Sequence, residues 1–248
     1  MSTTDDLQLF SRHPARHGRY PEWIDWVLGA IAVLVGMLAI VVGSALAFVV
    51  DRTLLAAGLE EAEPIVVATR ELTDAEALEL MAAVVEWTGI GVLVTGIGLV
   101  LAGLWYGWRR RRSRRGAAPI DSYWGFAVLG AFATAFLSFL PLSPILGGLL
   151  AGYLERAESE RTVSVGALAG VLPIVPVAVI MAFVFVGLID GLLAVDAVGV
   201  AIFSGATMVF AVTLTAVIAA GLGAAGGFIG GWLAEWQAGE ETTAPARE

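Results

Sequence analysis

Polar and apolar positions along this chain fall into long blocks rather than short periods. Residues 1–22 are polar, and an apolar run then extends from Ile24 to Val50. About 20 apolar residues cross a hydrocarbon layer, so this run predicts a first membrane-spanning helix with room to tilt. It is longer than the apolar part of a cleaved leader, which makes it a retained anchor. Trp23 and Trp26 stand where an interfacial aromatic belt belongs. A polar, acidic stretch, Asp51–Leu80, comes next. Within it Thr73-Asp-Ala-Glu76 has the spacing of a capping box, in which a hydroxyl and a carboxylate satisfy orphan amide donors. That predicts a helix starting at Thr73, passing through Trp87 and ending as a second span near Tyr106. Pro64 is expected to divide the loop before it.

The second half is harder to parse. Tyr123–Leu140 is barely long enough to cross, and Pro141-Leu-Ser-Pro144 interrupts it. Proline lacks an amide donor and clashes with the preceding helical turn. Ile145–Leu154 is short for a span. Val163–Ile189 reads as a further span containing Pro173 and Pro176, and Asp190 and Asp196 bracket a short loop. Ala197–Trp236 is too long for one perpendicular helix, so its start is expected to be interfacial or kinked. The predicted fold is an all-α, polytopic transmembrane helical bundle. A chain that turns at Pro141–Pro144 has six spans, and one that only kinks there has five. A re-entrant segment is the third arrangement, tolerated where backbone is buried in protein.

Charge sets the orientation. Arg109, Arg110, Arg111, Arg112, Arg114 and Arg115 follow the second span directly. Arginine clusters beside a span are retained on the cytoplasmic side, so this end and the amino terminus, with Arg12, Arg16 and Arg19, are assigned to the cytoplasm. With six spans the carboxyl terminus is cytoplasmic as well. The same arginines can meet lipid head groups. The organisation is then a basic tail over 1–22, a hairpin over 23–107 carrying the external acidic loop 51–80, and an arginine-rich linker over 108–121. A glycine-rich unit over 122–236 and a disordered polar tail over 237–248 complete it.

Composition agrees with a membrane location. Hydrophobic residues make up 58% of the 248 positions and charged residues only 15%, less charge than a soluble surface carries. There is no cysteine, which removes disulfides, thiolate chemistry and cysteine-ligated metals. The formal charge is −9, and every one of the 14 basic residues is arginine. An acidic excess with arginine in place of lysine fits a halophilic microbe.

One pattern is repeated. Gly147-Gly-Leu-Leu-Ala-Gly-Tyr-Leu-Glu-Arg156 returns as Gly226-Gly-Phe-Ile-Gly-Gly-Trp-Leu-Ala-Glu235. Gly148 and Gly152, Gly166 and Gly170, Gly223 and Gly227, and Gly227 and Gly231 are each four apart. On a helix this spacing puts small residues on one face and lets another backbone come close. Gly147, Gly148, Gly152, Gly166, Gly170, Gly223, Gly226, Gly227, Gly230 and Gly231 are therefore the expected helix-packing residues, a glycine zipper made twice. Tyr153 and Trp232 end the two stripes at equivalent places, as head-group anchors.

Ser143-Pro-Ile-Leu-Gly-Gly-Leu-Leu-Ala-Gly-Tyr-Leu-Glu155, Val165-Gly-Ala-Leu-Ala-Gly170 and Gly226-Gly-Phe-Ile-Gly-Gly231 resemble a family of small uncharacterised haloarchaeal membrane proteins. The resemblance covers about residues 122–236. It implies a glycine-rich four-helix unit and a haloarchaeal source, and it carries over no activity and no functional residue.

The apolar runs are also informative for what they lack. Glu86, Asp121, Glu155, Asp190 and Asp196 all fall at or near span ends. Ion-coupled transport usually places ionisable groups at membrane depth. Ser138, Ser143 and Ser204 have no histidine there to pair with, since His13 and His17 lie in the basic tail, read as solvated rather than metal-binding. No enzyme, cofactor or metal is expected, and nucleic acid is not an expected partner. The leading reading is a structural or interaction protein of the cell membrane, associating with lipids and with its own copies or another membrane protein. The alternatives are a small permease or channel for a neutral or apolar solute, and a sensor using the acidic external loop.

Overall fold

A computed structural model describes residues 22–59, 65–67, 69–115, 123–156 and 161–243. The basic amino-terminal tail with His13 and His17, Pro64, the stretch 116–122, residues 157–160 and residues 244–248 lie outside the described residues. The elements are α1 (Glu22–Phe48), α2 (Arg52–Leu59), β1 (Val66–Val67), β2 (Arg70–Glu71), α3 (Asp74–Arg115), α4 (Tyr123–Phe136), α5 (Ser143–Arg156), α6 (Thr162–Val171), α7 (Ile174–Ala194) and α8 (Val198–Thr243). Among the described residues, four stretches are long and apolar enough to cross a membrane: Trp26–Phe48, Asp74–Arg109, Thr162–Ala194 across the α6–α7 junction, and Val198–Gln237. Leu34, Leu38, Val41, Ile202, Phe203, Phe210 and Val217 are all largely exposed on them. So much contiguous apolar surface is sustainable only against lipid or another protein. This is a membrane protein.

α3 starts where the capping box places it. The Thr73 amide donates to Glu76 Oε2 (2.9 Å) and the Glu76 amide donates to the Thr73 hydroxyl (3.4 Å). Thr73→Ala is expected to cost about 1 kcal/mol, typical for loss of an N-cap side chain. Faster amide exchange in the first turn of α3, with the rest of the helix unchanged, checks it. At its other end α3 passes Tyr106 and continues to Arg115. Arginine is a good helix former, and nothing before Gly116 stops the helix.

The described part of the loop 51–80 is built rather than open. Asp51 caps α2, its Oδ1 accepting from the Thr53 hydroxyl and from the Thr53 and Leu54 amides. These bonds, the Thr53 hydroxyl foremost, hold the Asp51 carboxyl below the usual carboxylate range. β1 and β2 pair antiparallel, with Val66 opposite Glu71 and Val67 opposite Arg70. Leu72, Ala77, Leu80, Leu192, Val195 and Ala201 form a buried cluster against which Leu59, Ile65 and Val67 pack. The loop is thus a cap seated on the ends of α3, α7 and α8.

α1 and α3 are antiparallel partners, and their contact is made by glycine. A Cβ added at Gly36 would come within 2.7 Å of the Gly96 carbonyl oxygen, and one at Gly103 within 3.0 Å of that of Gly29. Gly43 meets Gly89 in the same way. Gly29, Gly36 and Gly43 recur every seven residues, as do Gly89, Gly96 and Gly103. A seven-residue period keeps one seam facing its partner along a left-handed crossing.

The second half differs from the sequence expectation at several places. The chain does turn at Pro141–Pro144, because α4 and α5 pack antiparallel, Gly147 lying against Gly130 and Thr134. Each arm has only 14 residues, about 21 Å at 1.5 Å per residue, against roughly 30 Å of hydrocarbon. The predicted span Val163–Ile189 breaks at Leu172–Pro173 into α6 and α7, and α7 runs past Asp190 to Ala194. A three-residue turn follows, with Asp196 in the left-handed region (φ 56°), a conformation aspartate tolerates better than most residues. α8 is one unbroken helix from Val198, and it continues past Trp236 to Thr243, so the tail expected to be disordered from 237 is helical there. Tyr153 donates a hydrogen bond to Gln237 Oε1 (2.6 Å), tying that extension to α5.

Candidate functional site

Three places concentrate chemistry or close contact. The first is a seam where α5, α6 and α8 meet backbone to backbone. A Cβ at Gly148 would strike the Gly223 carbonyl, and one at Gly152 would lie 2.6 Å from Gly227 Cα. One at Gly166 would also lie 2.6 Å from Gly227 Cα, and one at Gly170 would strike the Ala219 carbonyl. Gly226 faces Ile145 and Leu149, Gly230 faces Leu149 and Tyr153, and Gly231 faces the Thr162 side chain. The register pairs 148 with 223 and 152 with 227, so α5 and α8 run parallel. α6 pairs 170 with 219 and 166 with 223, so it is antiparallel to α8.

The two copies of the repeated motif therefore pack on each other, with α6 in the groove between them. Of the ten glycines singled out from the sequence, nine line this seam. Gly147 instead turns toward α4. Beside the seam, the Thr134 hydroxyl of α4 donates to the carbonyls of Gly130 in its own helix (3.0 Å) and of Ala169 in α6 (3.2 Å). Sequence reasoning missed the α1–α3 glycines and a third set on α7. A Cβ at Gly187 would lie 2.7 Å from the Ala83 carbonyl oxygen, and one at Gly191 would lie 2.6 Å from the Leu80 side chain. The seven-residue recurrence in the first two spans was a readable signal. Gly187 and Gly191 carry only the four-residue spacing.

The second place is a half-open cleft of about 490 Å³ at the cap end, between α1, α2, α3 and α7. Asp51, Glu79, Glu86 and Asp190 line it together with Arg52, among apolar residues such as Leu46, Val50 and Leu55. Arg52 reaches Glu79 at 3.4 Å, both well exposed, a geometry worth little in water. The Trp87 indole N–H donates to Asp190 Oδ2 (3.3 Å), and the Trp87 ring lies 6.2 Å from that of Phe183. The cleft is lined mainly by acidic charge. Among the described residues no group of three or more carboxylates or histidines is spaced to hold a metal ion.

The third place is the far end of α3. The Arg109 guanidinium lies 5.0 Å from the centre of the Trp105 ring, and that of Arg112 lies 5.4 Å from Trp108. Arg110, Arg111, Arg114 and Arg115 continue the same helix. At the corresponding end of α5, Glu155 is buried, 2% exposed.

Comparison with known proteins gives one match. A family of unknown function, DUF5518, matches residues 124–233. That segment holds α4, α5, α6, α7 and most of α8, the elements that build the glycine seam, and it is somewhat less than half of the chain. α1 to α3 and the cap lie outside it. No curated protein and no solved structure matches the chain.

Proposed function

We propose that this protein is a non-catalytic structural or interaction protein of the cell membrane. The observation that carries the reading is the seam of α5, α6 and α8. There, direct backbone contact replaces the ionisable side chains that an ion path or an active site would need. Inside lipid the hydrophobic effect gives helices no reason to associate, so close van der Waals contact has to do it. These glycines are used up within one chain. Association with a second copy or a membrane-protein partner would therefore use the exposed outer faces of α1 and α8. Crosslinking in native membranes is expected to trap such a complex. A chain that crosslinks to nothing and purifies as a monomer overturns the reading. The acidic, lysine-free composition and the resemblance of the glycine-rich unit support a haloarchaeal source.

The topology that fits is four full spans plus a half-length hairpin, with both termini in the cytoplasm. The arginines after Trp108 hold that end of α3 inside. α4–α5 then enters from the cytoplasmic side and returns. Its turn holds Phe136 and Phe139, 82% and 74% exposed, with Leu142 beside them, side chains suited to lipid rather than water. Much of the turn's backbone is also satisfied locally. The amides of Leu137 and Ser138 donate to the Ala133 and Ala135 carbonyls at the end of α4, those of Leu140 and Ser143 donate to the Leu137 and Leu140 carbonyls, and Pro141 and Pro144 have no N–H to satisfy.

Single cysteines at Thr69, Ser138 and Ser159, labelled with a membrane-impermeant maleimide, separate the arrangements. Thr69 is expected to label in intact cells and Ser159 only in inverted vesicles, with Ser138 protected in both. Labelling of Ser138 from outside would mean a crossing hairpin and six spans.

A second reading, a small permease or channel for a neutral or apolar solute, is favoured by the discontinuous helices. The α4–α5 turn and the Leu172–Pro173 break lie side by side, because Thr134 bonds Ala169 next to the end of α6. Broken helices at membrane depth frame many transporter sites. Solute flux in proteoliposomes that is abolished by Pro173→Ala would make this the leading reading.

A further inference from the structure

We infer that this chain is built as two bodies that tilt against each other about two flexible crossings, Leu172–Pro173 and residues 206–218 of α8. The first body is the cap with α1, α3, α7 and the start of α8. The second is α4, α5, α6 and the rest of α8. Both buried clusters respect this division. Leu72, Leu80, Leu192, Val195 and Ala201 all belong to the first body, and Phe126, Ala127, Ala151, Val165 and Ala169 to the second. The glycine contacts respect it too. Gly36 with Gly96, Gly91 with Phe183, Gly187 with Ala83 and Gly205 with Phe185 lie inside the first body. Gly130 with Ala151, and the seam at Gly148, Gly166 and Gly223, lie inside the second. Among the described residues no glycine has its nearest neighbours across the division. Helices that touch backbone to backbone have no side chain to rotate aside, so each body moves as a unit.

Among the described residues the chain passes between the bodies twice, and both crossings are loosened. At the first, Pro173 has no amide to offer the Ala169 carbonyl four residues back, and the Thr134 hydroxyl takes that place (3.2 Å). The Val175 amide then donates to the Leu172 carbonyl over a tighter turn (3.3 Å). A helix whose ladder is interrupted by proline bends there. At the second, none of residues 206–218 is buried, and Val209, Phe210 and Val217 are 63%, 67% and 64% exposed. Thr207 donates to the Phe203 carbonyl (2.9 Å), and Thr213 and Thr215 donate to those of Val209 and Ala211 (2.8 Å each). Hydroxyls bonded four residues back compete with the helix's own amides and favour bending. α8 is thus held at both ends and free for about 20 Å between them, at 1.5 Å per residue.

Because α3 runs unbroken from the cap to Arg115, a tilt imposed at the cap reappears at the arginine end as a displacement against α5 and α6. The division is the same for an interaction protein and for a permease, so crosslinking and solute flux test those readings separately. The test uses the full chain in lipid nanodiscs, with spin labels on pairs of introduced cysteines and distances from pulsed electron–electron resonance. Leu34/Leu101 reports on the first body, Val163/Phe228 on the second, and Leu101/Val163 on the relation between them; all four side chains are exposed. Each within-body pair is expected to give one narrow distance distribution, and the cross pair one that is about twice as broad or split in two. Pro173→Ala returns an amide to the ladder, and Thr207→Val/Thr213→Val/Thr215→Val removes the competing hydroxyls. Each variant should narrow the cross pair toward the within-body width. The within-body pairs in the same variants show whether each still folds, and the threonine variant carries the test if Pro173→Ala does not. A wild-type cross pair as narrow as the other two overturns the inference. So do within-body pairs as broad as the cross pair, or a cross pair that stays broad in the folded variants.

Discussion

Gly227→Leu is expected to open the seam of α5, α6 and α8 and to lower the stability of the protein markedly. A Cβ at this position strikes the Thr162 carbonyl and comes within 3.0 Å of Gly166 Cα. Those atoms belong to helical backbone and cannot rotate aside as a side chain would. Overfilling a packed interior costs about 1–3 kcal/mol where neighbours can adjust, and more where they cannot. In a chain of this size each kcal/mol moves the midpoint of thermal unfolding by about 2–4 °C. The variant should therefore unfold several degrees lower or fail to accumulate. Gly148→Leu, which meets the Gly223 carbonyl, should behave alike.

Gly221→Leu is the control. A Cβ there meets nothing within 4 Å, so the effect should stay within about 0.5 kcal/mol. Gly231→Ala is the graded case. Its nearest neighbour is the Thr162 side chain at 2.8 Å, which can shift, so a smaller loss is expected. Thermal unfolding followed by static light scattering in one detergent ranks all four. Equal midpoints for Gly227→Leu and Gly221→Leu would remove the packing account of the repeated motif.

The second large effect is expected at the cap. Leu192 is 2% exposed and stands in the cluster that joins α7 to Leu72, Leu80 and Ala201. Leu192→Ala should cost about 2–5 kcal/mol, the transfer term plus the cavity left behind. The loss should appear first as loosening of the cap rather than failure of the whole bundle, because the seam of α5, α6 and α8 lies away from this cluster. Trypsin added outside should then cut after Arg52 and Arg70 much faster than in the wild type, and amides of Leu72 to Ala77 should exchange sooner. Leu193→Ala, at a half-exposed neighbour, should leave both readouts near wild type. A cap that resists trypsin equally in both variants would mean that the buried cluster does not hold it.

Some of this architecture is written locally and could be read directly. The capping box at Thr73 and Glu76 depends on three residues of spacing, so its geometry follows from the sequence alone. The apolar blocks report solvation, and solvation is what sorts helices into a bilayer. The glycine repeat announced close approach because a missing side chain allows it wherever the helix is placed. The sequence did not disclose which backbone comes close. Gly148 meets Gly223, and Gly147, its neighbour, faces α4. Hydropathy overestimated the arm before Pro141–Pro144 and underestimated the one after it, since a run of apolar residues does not reveal where its helix starts or stops. The heptad glycines of α1 and α3 were legible in principle, but their meaning appears only when the two series are laid antiparallel.

By itself the amino-acid sequence determined that this chain lives in a membrane, which end of α3 carries the arginines, where α3 begins, and which residues are small enough for helices to touch. Each of these depends on the transfer of single residues between water and lipid, or on bonds within one turn. The tertiary structure alone decided that the repeated motifs pack on each other and that α4–α5 turns back after 14 residues an arm. It alone decided that α6 breaks from α7 at Pro173, and that the acidic loop folds into a cap on α7 and α8. Each of those is set by contacts between residues far apart in the chain, whose energy depends on how closely two backbones can approach, and no local pattern encodes the partner.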